Sequence, residues 1–218
     1  MKKIIKVKNR IRNITFLSAL NSIYRNYFQT QRKKFGFIHP TAFFRQPLLI
    51  KGIENVYMHE NTSILGHSKI LTTNAKFVMK KNSGAAEGFT VVTGNHFSMI
   101  GQFFRNISDE MKPRDLDKDI IVEEDVWIAT NVTLLAGVTI GRGSVIGSGS
   151  VVRTTVPPYA IVTGNPSKVV GFKFAPEEIL EHEKKLYPEK DRLPLELLQK
   201  NYDKHFIKRI NDIKNYLK

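Results

Sequence analysis

The chain has 218 residues, 41% hydrophobic and 25% charged, which are ordinary values for a globular protein and exclude global disorder. No uncharged apolar stretch approaches the roughly 20 residues that span a bilayer, and the absence of cysteine excludes disulfides, thiolate metal sites and a cysteine acyl-enzyme, a composition that suits a reducing compartment. The net charge of +14 suits phosphate-bearing or acidic small molecules, an anionic membrane face or nucleic acid. Zinc-finger spacing, an RRM signature and a basic zipper are all missing, so no nucleic-acid partner is expected.

Residues 1–36 hold ten Lys or Arg and no Asp or Glu. The start is basic but lacks the apolar core and small-residue cleavage site of a signal peptide, so a cytoplasmic location is expected, with the inner face of the membrane within reach. Ile4, Val7, Ile11, Ile14, Leu17 and Tyr24 fall at steps of three, four and seven residues, which predicts an amphipathic helix over 4–28. Its expected role is to cap the first coil of the repeat that follows; a peripheral membrane anchor is the alternative.

A six-residue period organises the middle of the chain. Met58, Ile64 and Ile70 lead one set of hexads, with Thr62, Ser68 and Asn74 at the corners; Met79, Ala85 and Val91 lead another after a break at Lys76-Phe77-Val78. The period disappears over residues 97–121, a segment with Gly101, Pro113 and a run of charges that reads as an extruded loop. It then returns in full. Val122, Ile128, Leu134, Ile140, Ile146 and Val152 lead six consecutive hexads, and Val126, Val132, Val138, Ser144, Ser150 and Val156 stand four positions after each. Neither a helical period nor simple strand alternation produces this run. Each hexad reads as one short flat strand and a corner, and three hexads close a triangular coil whose leading aliphatics stack at roughly 4.8 Å. The prediction is an all-β solenoid, a left-handed parallel β-helix over 37–172, flanked by N-terminal and C-terminal α-helices; this fold departs from the right-handed crossover rule. In 173–218, Pro176-Glu177-Glu178 reads as a helix start, with a stop before Pro188. Pro194 reads as the start of a second helix carrying Leu198, Tyr202, Phe206, Ile210, Ile213 and Leu217.

Three stretches resemble hexapeptide-repeat acetyltransferases: Val92-Thr93-Gly94-Asn95-His96 before the loop, Val126-Trp127-Ile128-Ala129-Thr130-Asn131-Val132 after it, and Val156-Pro157-Pro158 through Gly164-Asn165-Pro166 at the end of the repeats. Their order is that of the galactoside, maltose, xenobiotic and capsular-polysaccharide acetyltransferases, over residues 40–187. The resemblance implies acetyl-CoA as co-substrate, no metal, and a homotrimer with clefts between subunits. It implies His96 as the general base, a role that suits an imidazole titrating near neutrality. It implies that Asn95 and Trp127 line the acceptor channel, with the Trp127 ring outward at a coil corner. Thr130, Ser148, Arg153, Thr154 and Lys168 match the coenzyme-binding positions, although Ser148 and the Arg153-Thr154 pair depart from the residues common among relatives. Arg153 and Lys168 suit phosphate.

The other histidines, His39, His59, His67, His182 and His205, lack the spacing of a three-histidine zinc site and are expected to be structural or exposed. Nucleophile-elbow, Walker and metalloprotease motifs are absent. The expected function is direct transfer of acetyl from acetyl-CoA to a sugar hydroxyl of a capsular or extracellular polysaccharide or its precursor. The loop Phe97-Ser98-Met99-Ile100-Gly101-Gln102 and the tail from Phe174 to Glu183 resemble that branch most. An N-acetyltransferase or xenobiotic acetyltransferase of the same fold is the alternative, and a non-catalytic scaffold a third reading.

Overall fold

The structure is a computed structural model and describes residues 15–217. The chain climbs through five triangular coils. The first is β1 (Phe37–Ile38), β2 (Phe43–Phe44) and β3 (Leu48–Lys51); the second is β4 (Val56–Met58), β5 (Ser63–Ile64) and β6 (Ser68–Leu71). The third is β7 (Phe77–Met79), β8 (Gly84–Ala85) and β9 (Thr90–Val92). After the loop come β10 (Ile120–Val122), β11 (Trp127–Ile128) and β12 (Thr133–Leu135), then β13 (Thr139–Ile140), β14 (Val145–Ile146) and β15 (Val151–Val152). Strands of equal rank stack in parallel into three sheets: A from β1 to β13, B from β2 to β14, and C from β3 to β15. Sheet B continues through β16 (Ala160–Thr163) to β17 (Lys168–Phe172), which runs antiparallel to β16. This is a left-handed parallel β-helix.

The hexad leaders account for the core. Met58, Met79, Val122 and Ile140 are in register on sheet A. Ile64, Ala85, Ile128, Ile146 and Val162 align on sheet B, and Ile50, Ile70, Val91, Leu134 and Val152 on sheet C. All are buried, each full-sized aliphatic contributing about 1.5–3 kcal/mol through removal from water. The second set, from Val126 to Val156, is buried too. Its serines bury their hydroxyls because each has a backbone acceptor: Ser144 donates to the Pro157 carbonyl of the layer above at 2.9 Å and Ser150 to that of Gly147 at 2.6 Å. Asn74 does not take the inward place expected of it. It is exposed, and Thr72 and Ala75 are buried in its stead, because the turn into β7 is longer than one hexad.

Corners need a residue in the left-handed region, and this explains the recurring Asn, Asp and Gly. Asn61, Asn82, Asp125, Gly143 and Tyr159 hold positive φ between sheets A and B; His67, Gly88, Asn131 and Gly149 do so between B and C. His67 is thus a corner residue of the backbone. Gly143 has a second constraint, since a Cβ there would lie 2.5 Å from the Tyr159 ring.

The N-terminal end departs from the expected cap. Residues 1–14, with the first half of the expected helix, lie outside the described residues. Helix α1 (Thr15–Ile23) continues into a π-helical turn (Tyr24–Phe28) that runs beside β3, and its apolar side chains stay exposed. The first coil is closed by the residues after it. The Thr30 hydroxyl donates to the Leu48 carbonyl, the Arg32 guanidinium to those of Ala42 and His39, and buried Phe35 stacks on Phe44.

At the other end lie α2 (Pro176–Leu186), α3 (Leu195–His205) and α4 (Ile210–Tyr216). The second expected helix breaks at Phe206, where a 3-10 turn (Ile207–Arg209) intervenes. Tyr159, Ile179 and Leu198 form a small second core with Phe172, Phe174 and Leu193. At its edge Glu183 is fully buried, accepting from the Tyr159 hydroxyl at 3.0 Å, from Arg142 at 3.2 Å and from the Leu193 N–H. Arg142 also covers the Tyr187 ring, 4.1 Å from its centroid. Burial, reinforced by the Glu183 charge, pushes the Tyr159 phenol far above its ordinary value, and burial carries that of Tyr187 up to about 12.

Candidate active site

The chain leaves the solenoid after Val92 and rejoins it at Ile120. The excursion has order of its own in three 3-10 turns, Phe104–Asn106, Asp109–Met111 and Arg114–Leu116. Its mouth is laced shut. Lys118 N–H donates to the Thr93 carbonyl at 3.0 Å, and the Asn95 side-chain amide to that of Leu116 at 3.0 Å. Asp117 collects the rest: the Asn95 N–H at 2.8 Å, the Asn74 amide at 2.8 Å and the Lys112 ammonium. Burial alone would raise this carboxyl, whose side chain is 5% exposed, but the donors from Lys112, Asn74 and Asn95 outweigh it and hold the carboxyl below the usual range. Gly94 belongs to the same device, because a Cβ there would come within 3.1 Å of the Asp117 carboxylate.

His96 therefore stands one residue beyond a fixed backbone position. It is exposed, with the edge of Phe104 packed against its ring at 4.8 Å between centroids. Further out, Ile100 and Phe103 project fully into solvent. Sequence reasoning found His96 and the loop but missed Asp117, Lys112 and Asn74, which looked like members of a run of charges and a corner residue. The one available signal was the acid lying just before the period resumes.

The positions expected to bind coenzyme are distributed. Thr130 and Ser148 occupy the corner between sheets B and C on successive coils, both exposed, their hydroxyls 3.2 Å apart. Gly149 beside them has open space around it. An extended, amide-bearing chain can approach the backbone closely there, so these residues fit a pantetheine arm. Arg153 and Thr154 are exposed after β15, on the corner between sheets C and A. Lys168 opens β17, with its ammonium 4.9 Å from the Tyr216 ring of α4. Trp127 faces outward, 60% exposed, on the flat of sheet B rather than at a corner, and its register neighbours are Gly84 and Val145. Thr130 and Ser148 are thus brought together, as are Asn95 and His96, but the two pairs stand at opposite edges of sheet C. A single chain does not bring His96 to the corner of small residues.

The cavities lie elsewhere. One of about 490 Å³ sits under the loop and is lined by Asn74, Lys112, Arg114 and Asp117. A groove of about 480 Å³ separates the end of sheet A from α3, beside Arg142, Pro157 and His205. Neither is lined by His96. Among the described residues no three His, Asp or Glu side chains are placed to share a metal ion. The remaining histidines have local surroundings: His39 pairs with the Thr41 hydroxyl, His59 lies against Phe37, and His182 lies between Tyr159 and Phe174.

Residues 119–154 match the family described as bacterial transferase hexapeptide (six repeats). No curated protein matches the chain. Among solved structures, a hexapeptide-repeat-containing acetyltransferase from Vibrio cholerae, complexed with acetyl coenzyme A, is 22% identical and superposes with a TM-score of 0.59 over 74% of this chain and 91% of its own. A maltose O-acetyltransferase from Clostridium difficile is 22% identical, with a TM-score of 0.55 over 73% of this chain and 85% of its own. A galactoside acetyltransferase in complex with coenzyme A is 20% identical, with a TM-score of 0.57 over 82% of this chain and 87% of its own. The chain carries the bacterial transferase hexapeptide repeat and has the left-handed β-helix fold of the hexapeptide-repeat acetyltransferases.

Proposed function

We propose that this protein is an O-acetyltransferase that moves acetyl from acetyl-CoA to a carbohydrate hydroxyl, in clefts completed between the chains of a homotrimer working on the cytoplasmic side. The observation that carries the reading is the placement of an exposed histidine on an anchored loop at one edge of sheet C and an exposed corner of small residues at the other. Laid side by side, two copies can present one chain's His96 to the other's Thr130 and Ser148. Solved structures of the same fold support the donor, since one is complexed with acetyl-CoA and another with coenzyme A, and two are named for maltose and galactoside.

In this reading the His96 imidazole accepts the proton of the acceptor hydroxyl as its oxygen attacks the thioester carbonyl. The carbon–oxygen bond forms, the carbon–sulfur bond breaks, and the imidazolium returns its proton to the leaving thiolate. Thr130 and Ser148 hold the pantetheine arm, Arg153, Thr154 and Lys168 take the phosphate-bearing end, and Asn95 and Trp127 border the acceptor. A capsular or extracellular polysaccharide, or its precursor, is the proposed acceptor class, supported by the likeness of residues 97–102 and of the tail from Phe174. The test is release of free thiol from acetyl-CoA across a panel of mono- and oligosaccharides, with amines in parallel. Acceptor-dependent release with a saccharide and an ester in the product are expected. Release only with amines, or none with any acceptor, would overturn the reading.

A further inference from the structure

We infer that the helical segment 15–28 lays this protein onto an anionic membrane surface. Over these residues the apolar side chains Phe16, Leu20, Ile23, Tyr24, Tyr27 and Phe28 recur at three-, four- and seven-residue steps, and Phe16, Leu20 and Ile23 of the α-helical part fall within roughly 60° at about 100° per residue. All of them are exposed, Phe16 by 70% and Phe28 by 62%. The solenoid does not need this face, because Thr30, Arg32 and Phe35 already close the first coil. An apolar stripe of this size left in solvent marks an interaction surface.

Charge selects the occupant. Residues 1–36 carry ten Lys or Arg and no acidic residue, and Lys33 and Lys34 are exposed just beyond the segment. A second copy of the helix would bring two uniformly basic segments together, whereas anionic headgroups complement them. The two tyrosines suit the level between headgroups and acyl chains. No helix among the described residues is long and apolar enough to cross a membrane; an exposed apolar stripe with basic flanks suits a helix lying in the interface plane.

The experiment is co-sedimentation of the full chain with vesicles of phosphatidylcholine alone and of phosphatidylcholine mixed with equal parts phosphatidylglycerol. Binding to the mixed vesicles is expected, weaker by about tenfold or more without the anionic lipid and declining with salt. A Leu20→Glu and Ile23→Glu double variant, which changes only exposed positions, is expected to lose that binding at unchanged oligomeric mass. Failure of the wild-type chain to sediment with anionic vesicles would overturn the inference. So would equal binding by the double variant, or a change in its mass by analytical ultracentrifugation, which would assign the face to a neighbouring copy.

Discussion

His96 reaches solvent on a backbone that the neighbouring residues hold still, and the consequences differ residue by residue. His96→Ala is expected to cut the turnover of acetyl transfer by about a hundredfold or more while leaving the dissociation constant for acetyl-CoA nearly unchanged, as calorimetry alongside thiol release would register. Arg153→Ala should do the reverse, raising the KM for acetyl-CoA and sparing kcat at saturation. Asp117 acts through the loop. Asp117→Asn keeps the shape but weakens the hold on Asn95 and Lys112, so kcat should fall about tenfold from misplacement of His96, with coenzyme binding intact. Because the folded carboxyl lies below its unfolded value, its contribution is fully present above about pH 3.9 and is lost only as pH falls through the depressed folded value. Hydrogen exchange at the Asn95 amide should therefore stay slow across neutral and mildly acidic pH, and opening of the loop near pH 5 would contradict the anchoring. The place of His96 at the start of the loop was legible in the sequence through its motif. Asp117 was not, because a buried carboxylate and a solvated one look alike until the fold shows which donors converge on it.

At the scale of elements, the hexads were legible because each leading aliphatic must face inward and each corner must fit a small or β-branched side chain. The first coil, β1 to β3, keeps the six-residue step at Ile38, Phe44 and Ile50, which pair with Met58, Ile64 and Ile70, but the break in phase between Ile50 and Met58 and the aromatic leader at Phe44 hid it. For the described part of the N-terminal helix the sequence left cap and membrane anchor as alternatives; in the structure three later residues, Thr30, Arg32 and Phe35, satisfy the open end. The C-terminal helices depend on one buried ionic knot. Glu183→Ala would leave the buried Tyr159 hydroxyl without its acceptor and Arg142 with only Glu124 and the Asp191 carbonyl, and should cost about 3 kcal/mol, read from denaturant unfolding. The tyrosines give this region an alkaline limit. Their folded phenols are raised above the unfolded value of about 10, so their contribution is complete below that pH and is lost as pH rises towards the folded values. Undocking of α2 and α3 should begin above about pH 10 and not near neutrality.

For the molecule as a whole, the separation of His96 from Thr130 and Ser148 across sheet C would, in the proposed reading, make assembly part of catalysis. Sedimentation should give a trimer, with any monomer produced by interface substitution inactive. Ile100 and Phe103 on the loop are exposed, and the proposed assembly would cover them. Chains carrying His96→Ala and chains carrying Ser148→Trp, which blocks the coenzyme corner, should each form inactive trimers. Their mixture gives the most direct measurement. If every site takes His96 from one chain and the small-residue corner from the next, random mixing in a cyclic trimer restores about a quarter of wild-type thiol release. Mixed trimers that assemble and remain as inactive as either parent would contradict the shared site.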